Sequence, residues 1–354
     1  MHIFLTADCV GGVWTYALDL VRALPHHRFS IATMGARPSK TQREAVEKLP
    51  NAQLFESDWK LEWQFEPWHD VAQAGQWLLQ LERDLQPDIV HLNGFSHGAL
   101  PFRAPKIVVA HSCVLSWWRA VKGENAPPEW NFYRDHVAAG LRGADVVVSP
   151  TRALLKELQL IYGDFAPSRV IWNGASLEAE IEAKSPFVLA AGRLWDEAKN
   201  IALLDEVAPQ IEWPIRVAGQ SQFENEGFAA QNLDVLGALE PAQMKKMMRE
   251  AAIWAHPARY EPFGLATLEA AQSGCALVLS DIPTLRELWD GAALFASPRE
   301  VSDWKVALQN LVDDENSRLK GAKKAQARAQ NYSLERFGAS YEALYSELKM
   351  DFGK

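Results

Sequence analysis

The sequence predicts an α/β chain of two doubly wound, Rossmann-like domains of similar size, facing each other across a cleft that holds the ligand. Three observations point there. A length of 354 residues suits about two domains. Short apolar runs alternate with helical patterns, as βαβ units on a parallel sheet require. The alternation pauses at an acidic stretch over 173–185, just after the run Arg169-Val-Ile-Trp172, and then starts again.

The elements follow in order. In the first half, strands are expected over 2–7, 29–34, 88–92, 106–110 and 144–149, and helices over 15–24 and 72–85. Ile107-Val-Val-Ala110 shows no polar alternation, which fits burial on both faces. Leu18, Val21 and Arg22 recur at helical spacing, and the second helix stops before Pro87. In the second half, strands are expected over 186–191, 215–218, 233–236, 251–257 and 276–280. Helices are expected over 200–208, with Asn200 as its cap, over 241–252, opened by Pro241, and over 264–273, stopped by Gly274.

Composition narrows the function. A chain 48% hydrophobic and 23% charged can build a core in both halves. Its net charge of −9 argues against a nucleic-acid partner. Cys9, Cys113 and Cys275 are far apart and odd in number, which predicts buried free thiols in a reducing compartment. With no CxxC pair, no metal is expected. No apolar run reaches the ~18 residues of a membrane span, and the start lacks the basic lead of a signal peptide, so a cytoplasmic location is expected. Most of the 14 tryptophans are expected in cores, with some free to stack on a sugar ring.

Four motifs carry candidate chemistry. Asp8-Cys-Val-Gly-Gly-Val-Trp14 joins a strand to a helix, and Gly11 and Gly12 let backbone approach a ligand at a helix start. It is not GxGxxG, which weakens a nicotinamide dehydrogenase reading. Ala191-Gly-Arg-Leu-Trp-Asp-Glu-Ala-Lys-Asn200 also links a strand to a helix, and Arg193 with Lys199 suits a diphosphate. Arg259-Tyr-Glu-Pro-Phe-Gly-Leu-Ala-Thr-Leu-Glu269 places Glu261 and Glu269 around a strand-to-helix turn, where they suit ligand hydroxyls. His111 stands at the C-terminal end of a strand, where cleft residues gather. Each has a plain alternative: a tight turn, a charged surface loop, exposed glutamates, a satisfied structural histidine.

Together these motifs resemble the retaining glycosyltransferases of the GT-B fold, family 4. The resemblance rests on Gly11-Gly12, Gly192-Arg193-Leu194 with Lys199-Asn200, the Glu261 to Glu269 pair, and Ser280-Asp281-Ile282-Pro283 with Arg286-Glu287, in that order. It covers most of the chain and is densest over 187–298. It implies an N-terminal acceptor-side domain over 1–175 and a nucleotide-sugar donor domain over 176–333. A last helix over about 334–350 would cross back to the first domain.

The resemblance also implies roles. Arg193 and Lys199 would hold the donor diphosphate, and Glu261 the hydroxyls of the donor sugar. Phe263, Gly264 and Leu265 would offer backbone N–H groups, Glu269 would accept from the ribose hydroxyls, and Gly237 would lie in the base-contacting segment. His111 would sit near the transferred sugar and Gly12 near phosphate or acceptor. The implied reaction is retaining transfer to a hydroxyl acceptor, with a nucleotide-diphosphate sugar as donor substrate and neither metal nor cofactor. Trp117 and Trp118, after His111, are candidates for the acceptor side, gripping a glycan, a small molecule or a lipid-linked acceptor at the inner membrane face. A GT-B phosphorylase, a nucleotide-sugar epimerase and a catalytically silent nucleotide-sugar-binding protein remain as alternatives.

Overall fold

The structure is a computed structural model that describes residues 1–176, 182–223 and 226–352; residues 177–181 of the acidic seam therefore lie outside the described residues. The chain divides into two compact units. The first comprises Met1–Arg119, Glu124–Gly174 and Leu334–Lys354; the second comprises Ala120–Gly123 and Ala175–Ser333.

The first unit holds one parallel sheet of β1 (His2–Asp8), β2 (Arg28–Met34), β3 (Ala52–Glu56), β4 (Ile89–Leu92), β5 (Lys106–Val109), β6 (Val146–Ser149) and β7 (Ser168–Val170), in the order β3-β2-β1-β4-β5-β6-β7. The order reverses between β1 and β4, the switch point where open α/β sheets bind ligands. Successive residues of β1 feed opposite faces. Ile3 and Leu5 pack with Ala17, Phe29 and Phe337, whereas Phe4 packs with Val90, Val108 and Leu141. Covered on both sides, the strands need the near-continuous apolar runs seen in the sequence. The sequence reading lacks β3, whose residues are mostly half-buried at the sheet edge.

The C-terminal helix Leu334–Phe352 belongs to this unit. Two of its tyrosines anchor it through a buried polar chain. Tyr16 Oη lies 2.6 Å from Tyr341 Oη and 3.1 Å from His91 Nε2, and Tyr345 Oη lies 2.7 Å from His91 Nδ1. Each side-chain oxygen and ring nitrogen of these four residues has a partner within the network, which is what makes its burial tolerable.

The second unit holds β8 (Ser185–Ala191), β9 (Ile215–Ala218), β12 (Asp234–Gly237), β13 (Ala251–His256), β14 (Ala276–Ser280) and β15 (Leu294–Ala296), parallel, in the order β12-β9-β8-β13-β14-β15. Two-residue strands β10 (Gln222–Phe223) and β11 (Glu226–Gly227) pair antiparallel as a separate ribbon. Here the order reverses between β8 and β13. Trp254 is fully buried mid-strand, and its indole N–H donates to Thr267 Oγ1 at 3.1 Å, tying β13 to the helix Leu265–Gln272.

Most tryptophans do serve cores. Trp14, Trp254, Trp289 and Trp304 are buried, and Trp59, Trp68, Trp77 and Trp130 pack against the first unit's second cluster. Trp63 is exposed. All three cysteines are buried free thiols, and burial pushes Cys9 up to about 12 and Cys275 up to about 11. Among the described residues, no helix is long and apolar enough to cross a membrane.

Candidate functional site

In the second unit, two loops leave the sheet at its switch point, one after β8 and one after β13. They bring Lys199 and Glu261, 62 residues apart in sequence, to 2.8 Å between Nζ and Oε2. His256, the last residue of β13, places Nε2 3.1 Å from the same oxygen. Both bonds converge on Oε2. Burial alone would raise the Glu261 carboxyl; the Lys199 ammonium and the His256 hydrogen bond more than offset it and hold the group well below the usual carboxylate range.

Backbone geometry explains the loop sequences. A Cβ built on Gly192 would lie 3.1 Å from Lys199 Cγ, so glycine gives the lysine stem its path. The Arg259 N–H donates to the Ala198 carbonyl at 2.8 Å, clasping one loop to the other. Thr284 Oγ1 donates to the Glu261 carbonyl at 2.6 Å and pins the turn. Gly264 adopts φ +87° and caps the helix Leu265–Gln272, with no side chain bonding to the first-turn N–H groups. Those groups favour an anion or a hydroxyl oxygen. Phe263 is buried in the core, so only its backbone is available to a ligand, and Leu265 opens the helix half-buried.

Other expected residues are placed differently. Arg193 does not join the Lys199–Glu261 pair: its Nη2 lies 2.6 Å from Asp196 Oδ2 and its guanidinium 5.3 Å from the Trp195 ring centre, with half of the side chain exposed. Asn200 is not a side-chain cap. It adopts a left-handed conformation at φ +55°, and its Nδ2 donates to the carbonyls of Pro257 at 3.0 Å and Pro298 at 2.9 Å. Two loop carbonyls at strand ends outcompete the helix for this amide. Glu269 is half-buried, on the helix that also buries Leu268 and Gln272. Gly237 ends β12 and its carbonyl accepts from the Gly219 N–H at 2.8 Å.

In the first unit, the helix after β1 is Gly12–Ala23, three residues longer at its start than expected, because Gly11 at φ +87° lets the turn enter the helix at once. Gly12 is exposed and no side chain caps this helix. His111 is half-buried just beyond β5, its Nε2 lies 2.8 Å from Asn93 Oδ1, and burial pushes it down to about 3. Tyr16 meets the His111 ring edge-on at 4.5 Å. Trp117 and Trp118 are both half-buried on the helix Val114–Val121 and pack edge-on against each other at 5.8 Å.

Sequence reasoning missed His256, Asp196 and Asn93. His256 ends an apolar strand and Asn93 follows one, the C-terminal position that singled out His111. Asp196 gave none, since a lone aspartate in a charged loop reads as surface, yet it is buried. Arg259 was read only as the edge of its motif, and its Nε is buried without a hydrogen-bond partner among the described residues. In the first unit, His26, His27 and Glu342 bring three ligand-type atoms within 4.8 Å of one another. Each imidazole Nε2 there lies 2.8 Å from one Glu342 oxygen, and that of His26 is hydrogen-bonded to it.

Comparison with known proteins gives this geometry its context. Residues 10–179 match the model of Glycosyltransferase Family 4, and residues 177–328 match that of Glycosyl transferases group 1. Among curated proteins, a glycogen synthase of Mycobacterium tuberculosis is 32% identical over 95 residues, 26% of this chain and 23% of that protein. A D-inositol 3-phosphate glycosyltransferase of Corynebacterium jeikeium is 30% identical over 139 residues, 37% of this chain and 33% of that protein. The match thus spans a third or less of these relatives. Among solved structures, sucrose-phosphate synthase of Thermosynechococcus elongatus superposes with a TM-score of 0.82 at 17% identity, over 98% of this chain and 99% of that one. HepE of Anabaena, in complex with UDP-glucose, gives 0.75 at 18% identity, over 98% of this chain and 100% of that one.

Proposed function

The chain belongs to the family 4 glycosyltransferases of the GT-B fold, and from that premise we propose that it moves a sugar from a nucleotide-diphosphate sugar to a hydroxyl acceptor, with retention and without a metal. The observation that carries the reading is the Lys199–Glu261–His256 cluster at the β8/β13 switch point. Glu261, held ionised and bonded to Lys199 and His256 through Oε2, accepts from the hydroxyls of the donor sugar through Oε1. Lys199 spends one of its three donors on Glu261 and has the others for the diphosphate. Cleaving the sugar–diphosphate bond builds negative charge on the leaving oxygen. A cation fixed beforehand stabilises that charge without reorganising, often the largest single term in catalysis. Arg193 joins by exchanging Asp196 for phosphate, and the uncapped helix after Gly264 adds N–H donors.

Glu269 binds the ribose in this reading, Gly237 lies beside the base, and His111, Gly12, Trp117 and Trp118 serve the transferred sugar and the acceptor. Because HepE is solved with UDP-glucose, we take a UDP-sugar as the first donor to try. The three buried thiols suit a cytoplasmic enzyme drawing on that pool of nucleotide-sugars. The acceptor class is a glycan, a glycolipid or a small molecule with a free hydroxyl.

The test is a thermal-shift series of UDP-, GDP- and ADP-sugars, followed by turnover of the best stabiliser with and without chelator. Stabilisation by none of them overturns the donor assignment. Loss of turnover in chelator overturns metal independence, and a strict need for inorganic phosphate points to a phosphorylase.

A further inference from the structure

We propose that Asn93 is a positioning residue that fixes the tautomer of His111, presenting Nδ1 as a hydrogen-bond acceptor to a hydroxyl-rich ligand. The inference rests on the reading above only in that it takes this ligand to be the sugar undergoing transfer.

The argument is an accounting of donors and acceptors. Asn93 stands just beyond the C-terminal end of β4, next to β1 at the first unit's switch point. Its backbone N–H donates to Thr6 Oγ1 at 2.8 Å, and its side-chain Nδ2 lies 2.7 Å from the Thr6 carbonyl oxygen. A carbonyl oxygen can only accept, so the amide end that faces Thr6 must be the NH₂ group. A flipped amide would set two acceptors against each other. The other end, Oδ1, is therefore the one 2.8 Å from His111 Nε2. Oδ1 also can only accept, so Nε2 carries the proton. In a neutral imidazole the remaining nitrogen is then an unprotonated acceptor, because the bond made by one ring nitrogen sets the state of the other.

A second contact limits the ring's alternatives. Tyr16 closes edge-on over His111 at 4.5 Å, and its hydroxyl is itself committed to Tyr341 and His91. Turning the imidazole over would put a C–H against Asn93 Oδ1 and forfeit the bond. The Thr6–Asn93–His111 relay and the Tyr16 contact thus hold one orientation from two sides. Burial keeps the ring neutral across the ordinary pH range. An acceptor of this kind matches a hydroxyl and repels an anion, so the relay also selects against a carboxylate or phosphate at that position.

The experiment has two independent readouts. Long-range ¹H–¹⁵N correlation spectra of the wild-type protein, with His111 assigned by His111→Gln, report which ring nitrogen is protonated. The expected pattern is protonated Nε2 and bare Nδ1; the reverse pattern overturns the proposal whatever the enzyme's activity. Asn93→Leu and Asn93→Asp are then compared with wild type for kcat, for donor KM and for stabilisation by nucleoside diphosphate. Losing the relay is expected to lower kcat about tenfold with donor KM and nucleotide stabilisation nearly unchanged. A merely structural Asn93 would leave kcat at the wild-type value in Asn93→Leu, and that result overturns the proposal; Asn93→Asp keeps an acceptor for Nε2 and is expected to retain more of kcat than Asn93→Leu. Were the transferase reading itself wrong, the wild type would turn over no nucleotide-sugar while the tautomer pattern still reported on Asn93. The two failures are therefore distinguishable.

Discussion

Around Glu261 the protein gathers charge: an ammonium at 2.8 Å and an imidazole at 3.1 Å fall on one carboxylate oxygen. Around His111 it gathers neutral groups, an asparagine amide and a tyrosine ring, and burial keeps the imidazole itself uncharged. Both stand just beyond the C-terminal end of a strand in a parallel sheet, Glu261 after β13 at one switch point and His111 after β5, one strand from the other, so the fold is common and the chemistry is not. The difference teaches where charge is worth its desolvation cost. A diphosphate leaving group rewards fixed cations, while a hydroxyl is better met by a neutral acceptor.

The most severe way to break the comparison is to remove charge from the second unit. Glu261→Gln preserves shape and hydrogen-bonding reach but leaves Lys199 without its counter-charge. Lys199→Ala removes the cation and leaves Glu261 with His256 alone. Each is expected to lower donor turnover by a factor on the order of 10²–10³, with the folded state retained by circular dichroism. Near-normal donor hydrolysis by either variant would sink the assignment.

How much of this was legible beforehand follows from the physics of each residue. Strands buried on both faces announce themselves through apolar composition, and the β8-to-helix and β13-to-helix turns through glycine beside charge. The edge strand β3 is mostly half-buried and carries no such run. Asn200 stands at the N-cap position as expected but its side chain does not cap, because capping is a local preference, whereas the carbonyls of Pro257 and Pro298 that hold its side chain are 57 and 98 residues away in sequence. Lys199 and Glu261 were nominated separately; that they meet depends on how two loops clasp through Arg259 and Ala198, which spacing does not encode.

The comparison also predicts unequal responses to acid. In the first unit, His2, His27, His91, His97 and His111 are all held below the usual imidazole value, in each case chiefly by burial. A depressed value means that the unfolded chain binds more protons, so stability falls with pH, starting near the unfolded histidine value of about 6.5 and continuing towards the values near 3 of His91 and His111. In the second unit, the depressed Glu261 contributes stability that is present above the unfolded value of about 4.3 and is lost only as pH falls further. Amide exchange corrected for intrinsic rates should therefore show the first unit softening between about pH 6.5 and 4.5 while the second holds. The opposite order would contradict the reading of which unit stores its polar groups neutral.

A milder change sharpens the picture of the second unit. Arg193 is half exposed and already bonded to Asp196, so it contributes less than Lys199. Arg193→Lys keeps the charge but loses the planar fork, and is expected to raise donor KM roughly tenfold with kcat little changed. A fall in kcat equal to that of Lys199→Ala would mean that the guanidinium, not the ammonium, carries the developing charge.

The smallest effect belongs to Arg286. The sequence places it in a motif shared with the family, yet the structure shows a side chain 43% exposed, bidentate to Asp281 at 2.7 and 2.8 Å and stacked over Phe295 at 4.0 Å. Exposed pairs of this kind are screened by water and salt and contribute about 1 kcal/mol or less. Arg286→Ala should accordingly shift the denaturation midpoint slightly and leave donor KM and kcat unchanged, and added salt should shrink even that shift. A large loss of turnover would instead place Arg286 among the groups that touch the donor, and the charged site would then extend beyond the loops after β8 and β13.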